Sequence, residues 1–279
     1  MMWLTELFTD PYLSKIVWRA LAVGVFVSLC AALLGVTLVL KRFSMIGDGL
    51  SHAGFGVLAF SALLGLGQEW QMEFTLPIVM VISFLLFHLT AKGRLKGDAA
   101  IAVISSSAMA IGVIVYNLNG GMTADACSSL FGSASVITLT DKDLAISMVL
   151  SITVLLLFTL FYRRIFAVTF DETFAAACGV AGTGYRMLIA LLTSVTVVVG
   201  MKMMGAVMIS ALVIFPALTA MRLNKSFKGV VLTAAAVSVG CFLIGFLVAC
   251  VMGLPTGPCV VVVNLLALLG AAAWRGIAR

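Results

Sequence analysis

An all-α, polytopic membrane bundle of about eight or nine spans is predicted by three observations. The chain is 63% hydrophobic and only 10% charged, against the roughly half-apolar, quarter-charged composition of soluble domains. Apolar stretches of about 20 residues, enough for a helix to cross a bilayer, recur from end to end. Lysine and arginine collect in every second connection between these stretches. So little sequence lies outside them that residues 1–279 are expected to form one transmembrane domain.

Hydropathy and flanking charges place the spans in order. The first, near 17–40, follows Glu6 and Asp10 and ends at Lys41 and Arg42. It is too long for a signal-peptide core and has an acidic, not basic, approach, so it is expected to be retained. The second, 47–67, ends before Glu69 and Glu73, and the third, 74–91, before Lys92, Arg94 and Lys96. A fourth at 97–117 precedes a connection with Asp125, Asp141, Lys142 and Asp143; a fifth at 144–166 runs into Arg163 and Arg164, and Arg186 lies just beyond that connection. The sixth and seventh, 185–201 and 203–221, meet at a short polar break around Lys202, which reads equally as a loop or as a discontinuity within one buried element. The eighth, 229–253, follows Arg222, Lys225 and Lys228, and the ninth, 258–274, precedes Arg275 and Arg279. Thirteen of the 17 basic residues thus fall on one side, which puts the C-terminus in the cytoplasm and the N-terminus outside. Eight spans would require one element to be re-entrant.

Two connections exceed a simple turn. The outer one, 118–143, is rich in Gly, Ser and Thr yet keeps apolar pairs, and is expected to pack on the spans. The inner one, 163–184, contains FDETFAAACGVAGTG. Asp171, then Phe174 and Ala175 in an alanine run, then Gly179, spell a short helix capped by an acid and closed by glycine, within about 168–182. A helix of two turns there has no bilayer to span and is expected to touch a partner.

Against this background, Asp48 and His52 in IGDGLSH carry the chemistry. Four residues apart on a helix, they project from one face and can share a cation. An acid at mid-bilayer costs about 2.5–3.5 kcal/mol and tends to face a bundle interior or hydrated path. Carboxylate with imidazole suits a first-row divalent metal, and Gly47, Gly49, Gly54 and Gly56 let another backbone approach. Two copies of the chain meeting here would supply four ligands. The competing reading is a helix-start carboxylate at the cytoplasmic interface, with His52 bonded to it.

Other polar and sulfur groups read more plainly. His88, among Phe84, Leu85, Leu86 and Phe87, is expected to be interfacial or hydrogen-bonded in the core. The cluster Met201, Met203, Met204 and Met208 is expected to fill helix contacts. Ser105, Ser106 and Ser107 fit a hydrated path or bonds to backbone carbonyls equally well. The six cysteines form no CxxC pair, and no basic run interleaved with aromatics points to nucleic acid. There is no HExxH, no plausible GxSxG triad and no GxxxxGK[ST]. The chain is therefore expected to be no enzyme, to hold no cofactor, and to draw any ATP-driven work from another subunit.

Five colinear stretches carry a family resemblance: VLKRFSMIGDGLSHAGFGVLAF, GDAAIAVISSSAMAIGVIV, SLFGSASVITLTDKDL, FDETFAAACGV and KMMGAVMISALVIFPALTAMRL, with LPTGPCVVVVNLL near the end. The chain resembles, over about residues 15–275, the membrane permease of the bacterial ABC importers for zinc, manganese or ferrous iron, with a type II ABC importer fold. The resemblance implies a homodimer in the cytoplasmic membrane, joined to two cytoplasmic ABC ATPase subunits that bind the ATP and served by an extracytoplasmic metal-binding protein. It implies that Asp48 and His52 lie on the translocation path, and that FDETFAAACG is a coupling helix with Asp171, Phe174, Ala175 and Gly179 as ATPase contacts. Many relatives carry an acid after the LFG motif where this chain has Ser133. The function implied is import of a divalent transition metal by ATP-driven alternating access. The rivals are an iron-siderophore or cobalamin importer, which would want a wider aromatic-lined cavity than a chain 9% aromatic suggests, an intramembrane metalloenzyme, and a scaffold protein.

Overall fold

The computed structural model describes residues 11–91, 97–121, 130 and 141–277. Among these, eleven helices follow one another: α1 Pro11–Leu40, α2 Ile46–Leu63, α3 Gln68–Ala91, α4 Gly97–Leu118, α5 Asp141–Leu160, α6 Tyr162–Phe170, α7 Glu172–Ala177, α8 Gly182–Met204, α9 Ala206–Leu223, α10 Phe227–Met252 and α11 Thr256–Ile277. Most of the outer connection, with Ser133, and Lys92, Arg94, Lys96 and Arg279 lie outside the described residues.

Eight of these helices, all but α2, α6 and α7, are long and apolar enough to cross a membrane. The expected second span is the exception: Asp48, His52 and glycines dilute the 18 residues of α2. That helix does not need a lipid-compatible surface, because 12 of its residues are buried among α3, α4, α8 and α9. The layering follows the same logic. The spans in α1 and α8 are each 72% buried and form the centre, whereas those in α3, α5 and α11 are 28% buried. The periphery shows apolar side chains such as Val149, Ile152, Leu156 and Leu160 on α5, as a surface solvated by lipid requires.

Lipid offers no hydrophobic drive between helices, so close backbone approach and interhelical hydrogen bonds have to hold them. A Cβ added at Gly35 of α1 would lie 2.1 Å from the Val213 carbonyl oxygen of α9, and one at Gly56 of α2 would lie 2.9 Å from that of Ala108 in α4. Ser238 of α10 donates to the Ser28 carbonyl of α1 (2.9 Å), and Ser83 of α3 to the Ala190 carbonyl of α8 (3.2 Å). Arg19, within the first span, pairs with Asp141 at the start of α5 (2.5 Å), a tie the hydropathy pattern does not reveal.

Two boundaries differ from the sequence expectation. The span expected over 144–166 ends at Leu160, and Arg163 and Arg164 enter a separate helix, α6, whose Ile165, Val168 and Thr169 are buried. Two adjacent guanidinium groups favour the bilayer edge over its interior. The break expected around Lys202 lies instead at Gly205, and Lys202 completes the last turn of α8. Gly205 has φ 90° and ψ 152°, a conformation open essentially to glycine. With this one residue between them, Ile209 of α9 reaches the space beside Gly200 of α8.

Gly205→Ala should therefore cost about 1–3 kcal/mol and lower the melting temperature of the detergent-solubilised chain. Gly240→Ala, on α10 with open space around its Cβ, should not. Equal shifts for the two would contradict the account.

Candidate functional site

The start of α2 carries the first site. Asp48 stands in the first turn of the helix, where its carboxylate also complements the positive end of the helix dipole. One carboxylate oxygen, Oδ1, is 3.2 Å from His52 Nε2 one turn on. The other, Oδ2, accepts a hydrogen bond from Ser105 Oγ of α4 at 3.1 Å. Ser51 Oγ donates to the Asp48 backbone carbonyl (2.9 Å) and lies 3.3 Å from Ser210 Oγ of α9. Three helices thus fix the pair. The Asp48 side chain remains 34% exposed and that of His52 21%, so a small solute can still reach them. His52 Nδ1 is buried and has no hydrogen-bond partner among the described residues.

The spacing fits a shared ion. Two ligand atoms about 2.0–2.2 Å from one first-row metal lie about 3.0–3.5 Å apart, and the Asp48–His52 separation falls in that range. Among the described residues, no group of three His, Cys, Asp or Glu side chains could hold an ion. The described residues therefore offer a pair, not a cage.

The three serines separate. Ser105 holds Asp48, which neither spacing nor hydropathy announced, because the contact joins residues 57 apart. Ser106 and Ser107 donate to the carbonyls of Ala102 and Val103 in their own helix. They are exposed beside an open groove of about 520 Å³. His88 is exposed in the last turn of α3. Met201, Met203, Met204 and Met208 are buried, the last three against Val23, Phe242 and Phe246, as packing residues should be.

The second site is α7. Asp171, extended at φ −147° and ψ 102°, caps it: Oδ1 accepts from the Phe174 amide (2.9 Å), the Thr173 amide (3.0 Å) and the Thr173 hydroxyl (2.6 Å). At the other end Gly179 adopts φ +79°; its amide bonds the Ala176 carbonyl (3.0 Å) and that of Val180 the Ala175 carbonyl (2.9 Å), the paired closure typical of a glycine stop. Ala175 is buried against the bundle, whereas Phe174 is 65% exposed. A large aromatic side chain is thus held outward on a short helix capped at both ends.

The comparisons with known proteins follow these features. Residues 14–275 match the family model described as the ABC 3 transport family. The chain belongs to that family. Its relatives include the manganese import system permease protein ScaB of Streptococcus gordonii, 27% identical over 90% of this chain and 88% of that protein. Another is the chelated iron transport system membrane protein YfeC of Yersinia pestis, 28% identical over 83% and 77%. The fold matches that of PsaBC from Streptococcus pneumoniae, solved in complex with a Fab, at a TM-score of 0.80 and 24% identity over 97% of this chain and 94% of that one. As an ABC 3 permease the chain is the multi-pass membrane subunit of a metal transporter, and ATP hydrolysis belongs to a separate subunit.

The bonds from the Phe174 amide and from Thr173 hold the Asp171 carboxyl below the usual carboxylate value. A depressed folded value means that the cap acts above the unfolded carboxylate's pKa and is lost as pH falls through the folded one. Asp171→Ala should raise deuterium uptake over 172–178 several-fold at neutral pH, while Asp171→Asn, still a good cap, should raise it little. Equal uptake in both variants and the native chain would contradict the capping role.

Proposed function

We propose that this permease carries a divalent transition metal ion inward between two copies of itself, with Asp48 and His52 as its gripping point. The Asp48–His52 separation on an interior helix carries this reading. Oxygen and imidazole nitrogen suit manganese, ferrous iron or zinc rather than a soft monovalent ion. The two ligands found among the described residues, and a His52 ring nitrogen without a partner among them, support a site that one protomer leaves incomplete. A second copy brings it to two carboxylates and two imidazoles. A sparse ligand set also suits transport, since the ion has to be held and then released.

The proposed permease sits in the cytoplasmic membrane with its lipid-facing apolar rim, its N-terminus outside and its C-terminus inside, as the Lys and Arg distribution favours. Residues 1–279 act as one transmembrane domain. An extracytoplasmic metal-binding protein delivers the ion to the outer face. A cytoplasmic ABC ATPase receives α7, with Phe174 as anchor, Ala175 as the seat of the helix, and Asp171 and Gly179 as its two stops. The ATPase closes on ATP, α7 moves, and the cavity between protomers changes the side to which it opens. The ion is cargo, and no resident cofactor is needed.

Asp48→Ala or His52→Ala should abolish cellular accumulation of the metal, read by elemental analysis, while the variant chain still copurifies with its ATPase. Phe174→Ala should do the reverse first: copurification falls by tenfold or more, and accumulation falls with it. Undiminished accumulation in both site variants would sink the reading.

A further inference from the structure

Glu172, the first residue of α7, sits between two cations from different parts of the chain. Its Oε2 is 3.7 Å from Lys41 Nζ, just past the end of α1, and its Oε1 is 3.3 Å from Arg186 Nη1, in the first turns of α8. Each carboxylate oxygen therefore serves a different helix. The site is shaped for it: a Cβ added at Gly182 would lie 2.9 Å from Glu172 Cγ and 3.1 Å from Oε1, so the start of α8 is kept bare to admit this side chain. Beside the cluster lies a cleft of about 310 Å³ lined by Lys41, Phe43, Val168, Phe170, Glu172 and Arg186. Apart from this clasp, α7 has little to grip the bundle with: it is six residues long, and Ala175 is its buried member.

Lys41 is also mechanically placed. The amide of Lys41 bonds the Thr37 carbonyl, that of Arg42 the Val39 carbonyl, that of Phe43 the Leu38 carbonyl, and that of Ile46 the Phe43 carbonyl. Arg42 holds φ 62°, the left-handed conformation that closes α1. Phe43 packs on Phe87 with ring centroids 5.1 Å apart. The five residues between α1 and α2 are thus a bonded link, not a slack one, and Asp48 follows in the first turn of α2.

We propose that Glu172 is a positioning residue of the transport cycle: it clasps α7 to Lys41 and Arg186, so that displacement of α7 is passed through the α1–α2 link to the helix bearing Asp48. Partly exposed ion pairs add little to stability, so the value of this one lies in holding three elements in register. The inference rests on the proposed role of α7 as the ATPase contact.

The test uses the whole transporter, permease with ATPase and delivery protein, reconstituted in liposomes, and reads metal ions imported per ATP hydrolysed. Glu172→Gln should leave assembly and hydrolysis in place while the ratio falls about tenfold. Glu172→Asp should restore part of it. Glu172→Arg alone, and Lys41→Glu with Arg186→Glu, should each lower the ratio, and the three changes together, which reverse both ion pairs, should recover it, an outcome that loss of general folding would not produce. If Glu172→Gln lowers the yield of folded permease, the fully charge-reversed variant decides: a recovered ratio supports the clasp and an unrecovered one overturns it. A native ratio in Glu172→Gln also overturns the clasp, as does loss of ATPase binding, which would make Glu172 part of the contact surface. If Phe174→Ala assembles and hydrolyses ATP as the native complex does, the role of α7 itself fails, and the clasp with it.

Discussion

An ionised carboxylate inside an oily bundle is tolerable only where other groups take over the work of water, and the first turn of α2 is built around that constraint. Asp48 is met by His52 on one oxygen and by Ser105 on the other. Both partners require backbones to come close. Gly56 of α2 lies against the Ala108 carbonyl of α4, which brings Ser105 within reach. The same polar content makes α2 unfit to face lipid, so the other helices enclose it. The peripheral helices then carry the apolar surface that the bilayer wets. Fold and site are two consequences of one burial problem.

The helix α7 solves a different problem, that of order in a very short element. Six residues make a poor helix in isolation, since nucleation is unfavourable and few hydrogen bonds follow it. Here Asp171 supplies acceptors at one end and Gly179 closes the other, so that Phe174 is held outward. A short helix with both ends satisfied suits the ATPase contact proposed for it.

Much of this was legible in the residues. The i,i+4 spacing of Asp48 and His52, the cap and stop of α7, and the family motifs are local patterns, and local patterns survive without coordinates. What escaped was long-range or geometric. Ser105 meets Asp48 across 57 residues, Arg19 meets Asp141 across the bundle, and Glu172 is claimed by Lys41 and Arg186 from two directions. Hydropathy places the break after α8 at the charge of Lys202 because polarity shows in such a profile, whereas the φ of Gly205 does not. The second span was expected to resemble the others because its length is right, but burial on most sides replaced the need for apolar character.

The central claim is that the transported ion rests between Asp48 Oδ1 and His52 Nε2. Anomalous diffraction from crystals of the permease complex grown with manganese or zinc, recorded at the metal absorption edge, tests it most directly. The account predicts a peak about 2.0–2.3 Å from both atoms, joined by the same pair from the second copy. A metal peak in the membrane region that touches neither residue, with Asp48 still bonded only to His52 and Ser105, would contradict it.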